Sequence, residues 1–127
     1  MSTLTISNLN DGTTTVATTY ITNGSAKAWV NFNGTGTVAI RDSFNASSLT
    51  DNAVGDYTIS FVNNMANATY AAGGLGSVGN ANSGWGDLII RDNNAAPTAS
   101  ALRLGHIGYT NWSDGTYCLP IVQGDLA

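Results

Sequence analysis

The sequence predicts an all-β fold, an antiparallel β-sandwich of jelly-roll type with about eight to ten short strands. Three observations predict it. The straight-chain polar residues that favour helices are nearly missing: all eight acidic residues are Asp, Gln123 is the single glutamine and Lys27 the single lysine. Thr, Asn, Ser and Gly together make up roughly 45% of the chain, well above ordinary usage, and supply strands, turns and left-handed positions. Apolar residues recur with period two in short runs, broken by Gly, Asn or Asp at spacings of about 8–12 residues. A length of 127 residues fits one domain with a real core.

Residues 3–9 alternate around Leu4, Ile6 and Leu9 and read as a first strand or a docking arm, within a segment 1–12 that precedes a knob domain over 13–127. Asp11-Gly12 is a turn. Residues 13–22 are rich in β-branched side chains and read as a strand with Val16, Tyr20 and Ile21 buried. After the turn at Asn23-Gly24, residues 27–33 place Ala28, Val30 and Phe32 on one face and Lys27, Trp29 and Asn31 on the other. Trp29 therefore faces a second layer or a partner chain.

Gly34-Thr35-Gly36 leads tightly into a strand over 37–42, followed by a polar link through residues 44–52. Residues 56–62 alternate cleanly, with Tyr57, Ile59 and Phe61 on one face. A small-residue strand is expected around Tyr70, then a long glycine-rich loop over 73–86, a short apolar strand at Leu88-Ile89-Ile90, and another over 100–105. A loop over 109–115 and a buried closing strand over 117–122 complete the order. One echo is visible. Residues 34–42 and 84–92 both place Gly-x-Gly before a three-residue apolar run and Arg-Asp after it, which reads as two similar strand openings. Adjacent Arg and Asp in a strand should point to opposite faces, and Arg41 and Arg91 are candidate interface or corner anchors.

The same inventory argues against an enzyme. His106 is the one histidine and stands among glycines and aliphatics, and no Gly-x-Ser-x-Gly elbow occurs. Aspartates paired as Asp51/Asp56 or Asp87/Asp92 are the residues a small polysaccharide hydrolase would need, but Asp beside Gly or Asn is ordinarily a turn residue. One His and one Cys do not make a zinc site, and the Asp51–Asp56 stretch lacks calcium-loop spacing, so neither metal nor cofactor is expected. Cys118, within the closing strand, reads as a buried structural thiol. Four scattered cations and a net charge of −4 give no electrostatic footprint for nucleic acid. The first residues lack the basic and apolar regions of a signal peptide, and no apolar stretch is long enough to cross a bilayer, so synthesis in a cytoplasm without membrane contact is expected.

The residues suited to binding are aromatic and amide. Trp85 lies in a glycine-rich stretch, and Tyr109, Asn111 and Trp112 lie together in another. Such a tryptophan can lie flat against a sugar ring while amides bond its hydroxyls, or it can pack a subunit interface; the residues leave both open. The Asn-x-Ser/Thr triplets at Asn45, Asn67 and Asn111 arise readily by chance in so Asn- and Thr-rich a chain.

Residues 12–45, above all the block Ala26-Lys27-Ala28-Trp29-Val30-Asn31-Phe32, together with Gly55-Asp56-Tyr57-Thr58-Ile59-Ser60-Phe61 and the cysteine-bearing Tyr117-Cys118-Leu119-Pro120-Ile121, resemble the C-terminal β-rich domain of bacteriophage tail-fibre and virion-structural proteins of aquatic phages and cyanophages. The resemblance spans most of residues 1–72, and its Ala-Lys-Ala-Trp block is the specific part. It implies a non-enzymatic, surface-exposed virion protein, a homotrimeric knob or capsid decoration that docks on capsid or tail proteins and touches host surface glycan; a fibre-tip glycan-binding module is the alternative. In such an oligomer Trp29, Phe32, Arg41 and Arg91 are expected at subunit contacts, because an odd-facing Trp needs cover and cations are few. Relatives carry an attachment region and shaft before this block, so a chain starting at Met1 is expected to attach by itself, with residues 3–9 as its arm.

Overall fold

The computed structural model describes residues 2–78, 86–91, 95–108 and 111–127. Among these residues eleven strands and one short helix follow in order: β1 (Asn8–Asn10), β2 (Thr15–Ala17), α1 (Thr18–Gly24), β3 (Ala26–Asn33), β4 (Ala39–Phe44), β5 (Ala46–Ala53), β6 (Asp56–Phe61), β7 (Ala71–Val78), β8 (Gly86–Ile90), β9 (Ala101–Gly108), β10 (Asn111–Trp112) and β11 (Gly115–Gln123). Every ladder is antiparallel. The all-β class read from composition and period is therefore the observed one.

Nine strands form a single sheet in the order β4-β3-β11-β7-β8-β9-β6-β5, with β10 added on β9. Its first and last strands, β4 and β5, are consecutive in the chain and separated only by Asn45. A sheet whose opposite edges are joined by one residue must coil back on itself, which wraps it nearly closed around its core. Asn45 turns this corner with φ 56°, a left-handed conformation that Asn tolerates better than most residues. Its amide nitrogen donates to the Lys27 and Asn63 carbonyls (2.9 and 3.0 Å), and its side-chain oxygen accepts from the Asn63 N–H at 2.7 Å. The Asn-x-Ser triplet here is thus a structural corner.

The core is the inward set of the four strongest alternations. Ala28, Val30 and Phe32 from β3, Tyr57, Ile59 and Phe61 from β6, Leu102 and Leu104 from β9, and Cys118 and Val122 from β11 are all buried, with Met65 beneath them. Phe32 and Tyr57 meet edge to face at 5.0 Å. The Tyr57 hydroxyl finds its partners in the Asp114 carboxylate at 2.7 Å and the Gly34 carbonyl at 3.2 Å, so burial leaves no polar cost there. Burial, reinforced by Asp114, pushes this phenol well above its ordinary range.

Four local expectations are corrected. Residues 18–22, expected as the end of a strand, and the expected turn at Asn23-Gly24 together form α1, and Val16, Tyr20 and Ile21 are exposed rather than buried. The β1–β2 ladder ends at Ala17, and with no further strand alongside, the backbone bonds to itself. Residues 46–53, expected as a polar link, form β5, because its ladder to β6 satisfies the backbone while Ala46 and Leu49 turn inward. Residues 71–78, expected mostly as loop, are β7, an interior strand. Arg41 and Asp42 do not point to opposite faces: both are exposed, because the β3–β4 register steps from Asn31↔Asp42 to Phe32↔Ile40 and leaves Arg41 as an extra residue in a bulge.

The β1–β2 hairpin is a separate two-stranded sheet. Its turn is held by the Asp11 carboxylate, which accepts from the Thr13 and Thr14 N–H groups at 2.9 and 2.7 Å, with Gly12 at φ 99°. Between residues 2 and 25 every residue is exposed except the half-buried Ala17 and Thr18. The part of the chain standing outside the nine-stranded sheet therefore runs through residue 24, beyond the expected arm of 1–12. No helix among the described residues is long and apolar enough to cross a membrane.

Candidate functional site

Period two along β3 leaves Trp29 on the outer side of the sheet, and the neighbouring strands extend that side into an apolar face. Trp29 lies opposite Phe44 of β4 on one flank and Ile121 of β11 on the other. One row further along, Leu119 of β11 lies opposite Leu75 of β7. Trp29, Phe44, Ile121, Leu119 and Leu75 are 37, 53, 41, 37 and 72% exposed. Between them Asn31, Gly74 and Pro120 floor an open depression. Leaving so many large apolar side chains contiguous in water is costly for a chain that works alone.

Tyr117 extends the face, and the Arg41 guanidinium lies over its ring at 4.3 Å while donating to the Asn31 side chain at 3.4 Å. Bulging Arg41 outward is what lets it reach across β3. Of the residues expected at subunit contacts, Trp29 and Arg41 therefore share this exposed face. Phe32 does not: it is 0% exposed, turned into the core by the alternation that exposes Trp29. Arg91 lies elsewhere, inside a charged network of the chain itself.

That network centres on Asp56. Arg103 clasps its carboxylate with two bonds, Nε at 2.8 Å and Nη2 at 2.7 Å, and Arg91 Nη2 lies at 3.1 Å. The Arg103 hydrogen bonds hold the Asp56 carboxyl below its ordinary pKa against the opposing effect of burial. Arg91 also stacks over the Trp112 ring at 4.1 Å, and Trp112 lies on Gly105, where a Cβ would stand 2.2 Å from the ring. Both arginines of the sequence echo thus rest on an aromatic ring of a strand one step beyond the adjacent one. Trp112 remains 41% exposed; Asn111 beside it, in β10, is engaged. Trp85 and Tyr109, the other candidate ligand contacts, lie outside the described residues.

Three of the groups that catalysis could draw on are committed to packing, whereas Asp51 and Asp87 are exposed and Asp92 lies outside the described residues. His106 is fully buried, its Nδ1 bonded to the Ser113 carbonyl at 2.7 Å and its Nε2 sealed without a partner among the described residues. Cys118 is fully buried, and burial pushes its thiol up to about 12, far from a thiolate at neutral pH. Asp56 is neutralised by its two arginines. Among the described residues no three His, Cys or Asp side chains gather as a metal site. The outer face of β4, β3, β11 and β7 is the candidate functional surface. Sequence alternation pointed to Trp29; Phe44, Leu75 and Leu119 were missed because their strands carried no clear period.

No family model, curated protein or solved structure matches the chain.

Proposed function

We propose that this chain is a structural, non-enzymatic part of a bacteriophage particle: an all-β knob or decoration on the virion surface, oligomeric in its working form, attached to capsid or tail proteins. The observation that carries the reading is the uncovered apolar face built from Trp29, Phe44, Ile121, Leu119 and Leu75. A surface of that kind is worth keeping in an assembly, where it is covered, and is a liability in a monomer. The neutral hydroxyl and amide surface, with 9% charged residues, supports the same reading, as does the resemblance around Trp29. So does the commitment of His106, Cys118 and Asp56 to internal packing.

The test is composition and occupancy of particles. Virions purified from a culture carrying the gene should yield peptides of this chain at a fixed copy number per particle. A Trp29→Asp, Leu119→Asp chain that still folds should be lost from them. Peptides found only in the soluble lysate would sink the reading. A second reading, glycan recognition at a fibre tip, rests on the half-exposed Trp112 ring held against Arg91.

A further inference from the structure

The same chain carries two uncovered apolar surfaces that answer each other. One is the face around Trp29. The other is the segment before β3, where Leu4, Ile6, Leu9, Val16, Tyr20 and Ile21 are 38–80% exposed. Leu9, Val16 and Ile21 flank a shallow hollow on the hairpin, and Leu4 and Tyr20 project from it at 80 and 75% exposure. The segment is held to the sheet at its root, where Gln123 Nε2 donates to the Gly24 carbonyl at 3.2 Å and Lys27 Nζ donates to the Ser25 carbonyl at 2.9 Å. Among the described residues nothing covers the rest.

We infer that the arm of residues 2–24 docks on the Trp29 face of a second copy of this chain. Area is the first argument. Taking about 200 Å2 for a large side chain, the exposed fractions leave roughly 600 Å2 uncovered on the arm and a similar area on the face, against about 800 Å2 per partner in a standard interface. One arm on one face thus approaches a standard contact, and reciprocal or cyclic exchange adds at least one more. Charge is the second. The arm's charged side chain is Asp11, at the hairpin turn, and the face is bordered by Arg41. Asp42 stands beside Arg41 on the same side, so docking must bring Asp11 toward the guanidinium and away from that carboxylate. Because each copy offers one arm and one face, exchange closes into a finite ring rather than a filament when the rotation closes. The inference deepens the virion reading by naming what covers the face, and it stands or falls separately from it.

Sedimentation of the full-length chain tests it with two variants changed only at exposed positions. The arm variant is Leu4→Asp, Tyr20→Asp, and the face variant is Leu75→Asp, Phe44→Asp. Circular dichroism and melting should show both folded. The unmodified chain should sediment as a closed oligomer at micromolar concentration. Each variant alone should be monomeric, with association weakened on the order of 100-fold or more. Mixed together, they should form a one-to-one complex, because the face variant retains an intact arm and the arm variant an intact face. A monomeric unmodified chain, an arm variant that still assembles, or a mixture that stays monomeric would each overturn the exchange. An arm-dependent oligomer that never enters particles would instead sink the virion reading and leave the exchange standing. A monomer found in particles would do the reverse.

Discussion

A Cβ on Gly76 would stand 2.5 Å from Cδ2 of the His106 ring, and one on Gly86 would stand 2.6 Å from its Nε2. Gly115 closes the third side, with its Cβ position 2.8 Å from Nε2 and 2.9 Å from the Cys118 sulfur. The imidazole thus occupies the space that side chains on three neighbouring strands would fill. Gly76→Ala should destabilise the chain by about 2–3 kcal/mol, by overpacking against a ring that has nowhere to go. His106→Ala should cost a similar amount by opening a cavity. The double variant should cost clearly less than the two together, because the new methyl enters the vacated space. Urea melts of all three check it; strict additivity would mean that the ring and the glycine do not share one space.

Phe32 and Trp29 are both aromatic, three residues apart in β3, and on opposite sides of the sheet. Phe32→Ala should cost about 3–5 kcal/mol, the usual loss for a large buried ring. Trp29→Ala should cost clearly less in the monomer, since over a third of its surface is already in water. The same chemical denaturation series measures both. Equal losses would place Trp29 in the core and remove it from the docking face.

These particulars show what was legible in the sequence. Alternation in β3 and β6 assigned Phe32, Tyr57 and Ile59 to one side because each carries a large side chain at every second position. β7 was illegible for the opposite reason. Its glycines are strand residues whose missing Cβ atoms make room for His106 and β11, and period has no purchase on an absent side chain. The helix over residues 18–24 was hidden by β-branched residues, and only the lack of a neighbouring strand explains it. The bulge at Arg41 depends on registry with β3, which spacing within one strand does not reveal. The docking face was half visible: Trp29 was identified, but the strands that flank it are sequence-distant.

Asp56 should make stability depend on pH. Its carboxyl ordinarily titrates near 3.8 and is held lower in the folded chain, chiefly by Arg103. A depressed folded value means that the stabilisation is fully present above the unfolded value and is lost as pH falls through the folded one. Unfolding free energy should therefore be flat from pH 7 to about 5 and fall below about 4. Asp56→Asn should flatten that acid limb and cost about 2–4 kcal/mol at pH 7, because two guanidiniums then lose their carboxylate. An acid limb unchanged in Asp56→Asn would assign the pH dependence to other carboxylates.

Cys118 should behave as an inert core atom. With the thiol pushed up to about 12 and no exposed surface, it should not react with a thiol reagent such as DTNB at pH 8 in the native state. One equivalent should react once denaturant unfolds the chain, at a rate that follows unfolding. Rapid native labelling would contradict the burial of β11 against β3.

Asn45 joins the two ends of the sheet, and its backbone and side chain make separable contributions. Asn45→Gly keeps the left-handed φ without strain but loses the amide bonds to the Lys27 and Asn63 backbone. It should cost about 1–2 kcal/mol, the loss of partly buried hydrogen bonds that leaves carbonyls to be satisfied by water. Asn45→Ala loses the same bonds and adds about 1 kcal/mol for holding a Cβ at positive φ. The order of stability should therefore be Asn, then Gly, then Ala. Hydrogen exchange should show the loss first at the N–H groups of Val62 and Asn63, which donate to the Asn45 backbone and side-chain oxygens at 3.2 and 2.7 Å. If Gly and Ala were equivalent, the corner would be held by hydrogen bonding alone. If both were neutral, the edges of the sheet would be kept together by core packing and not by the residue that links them.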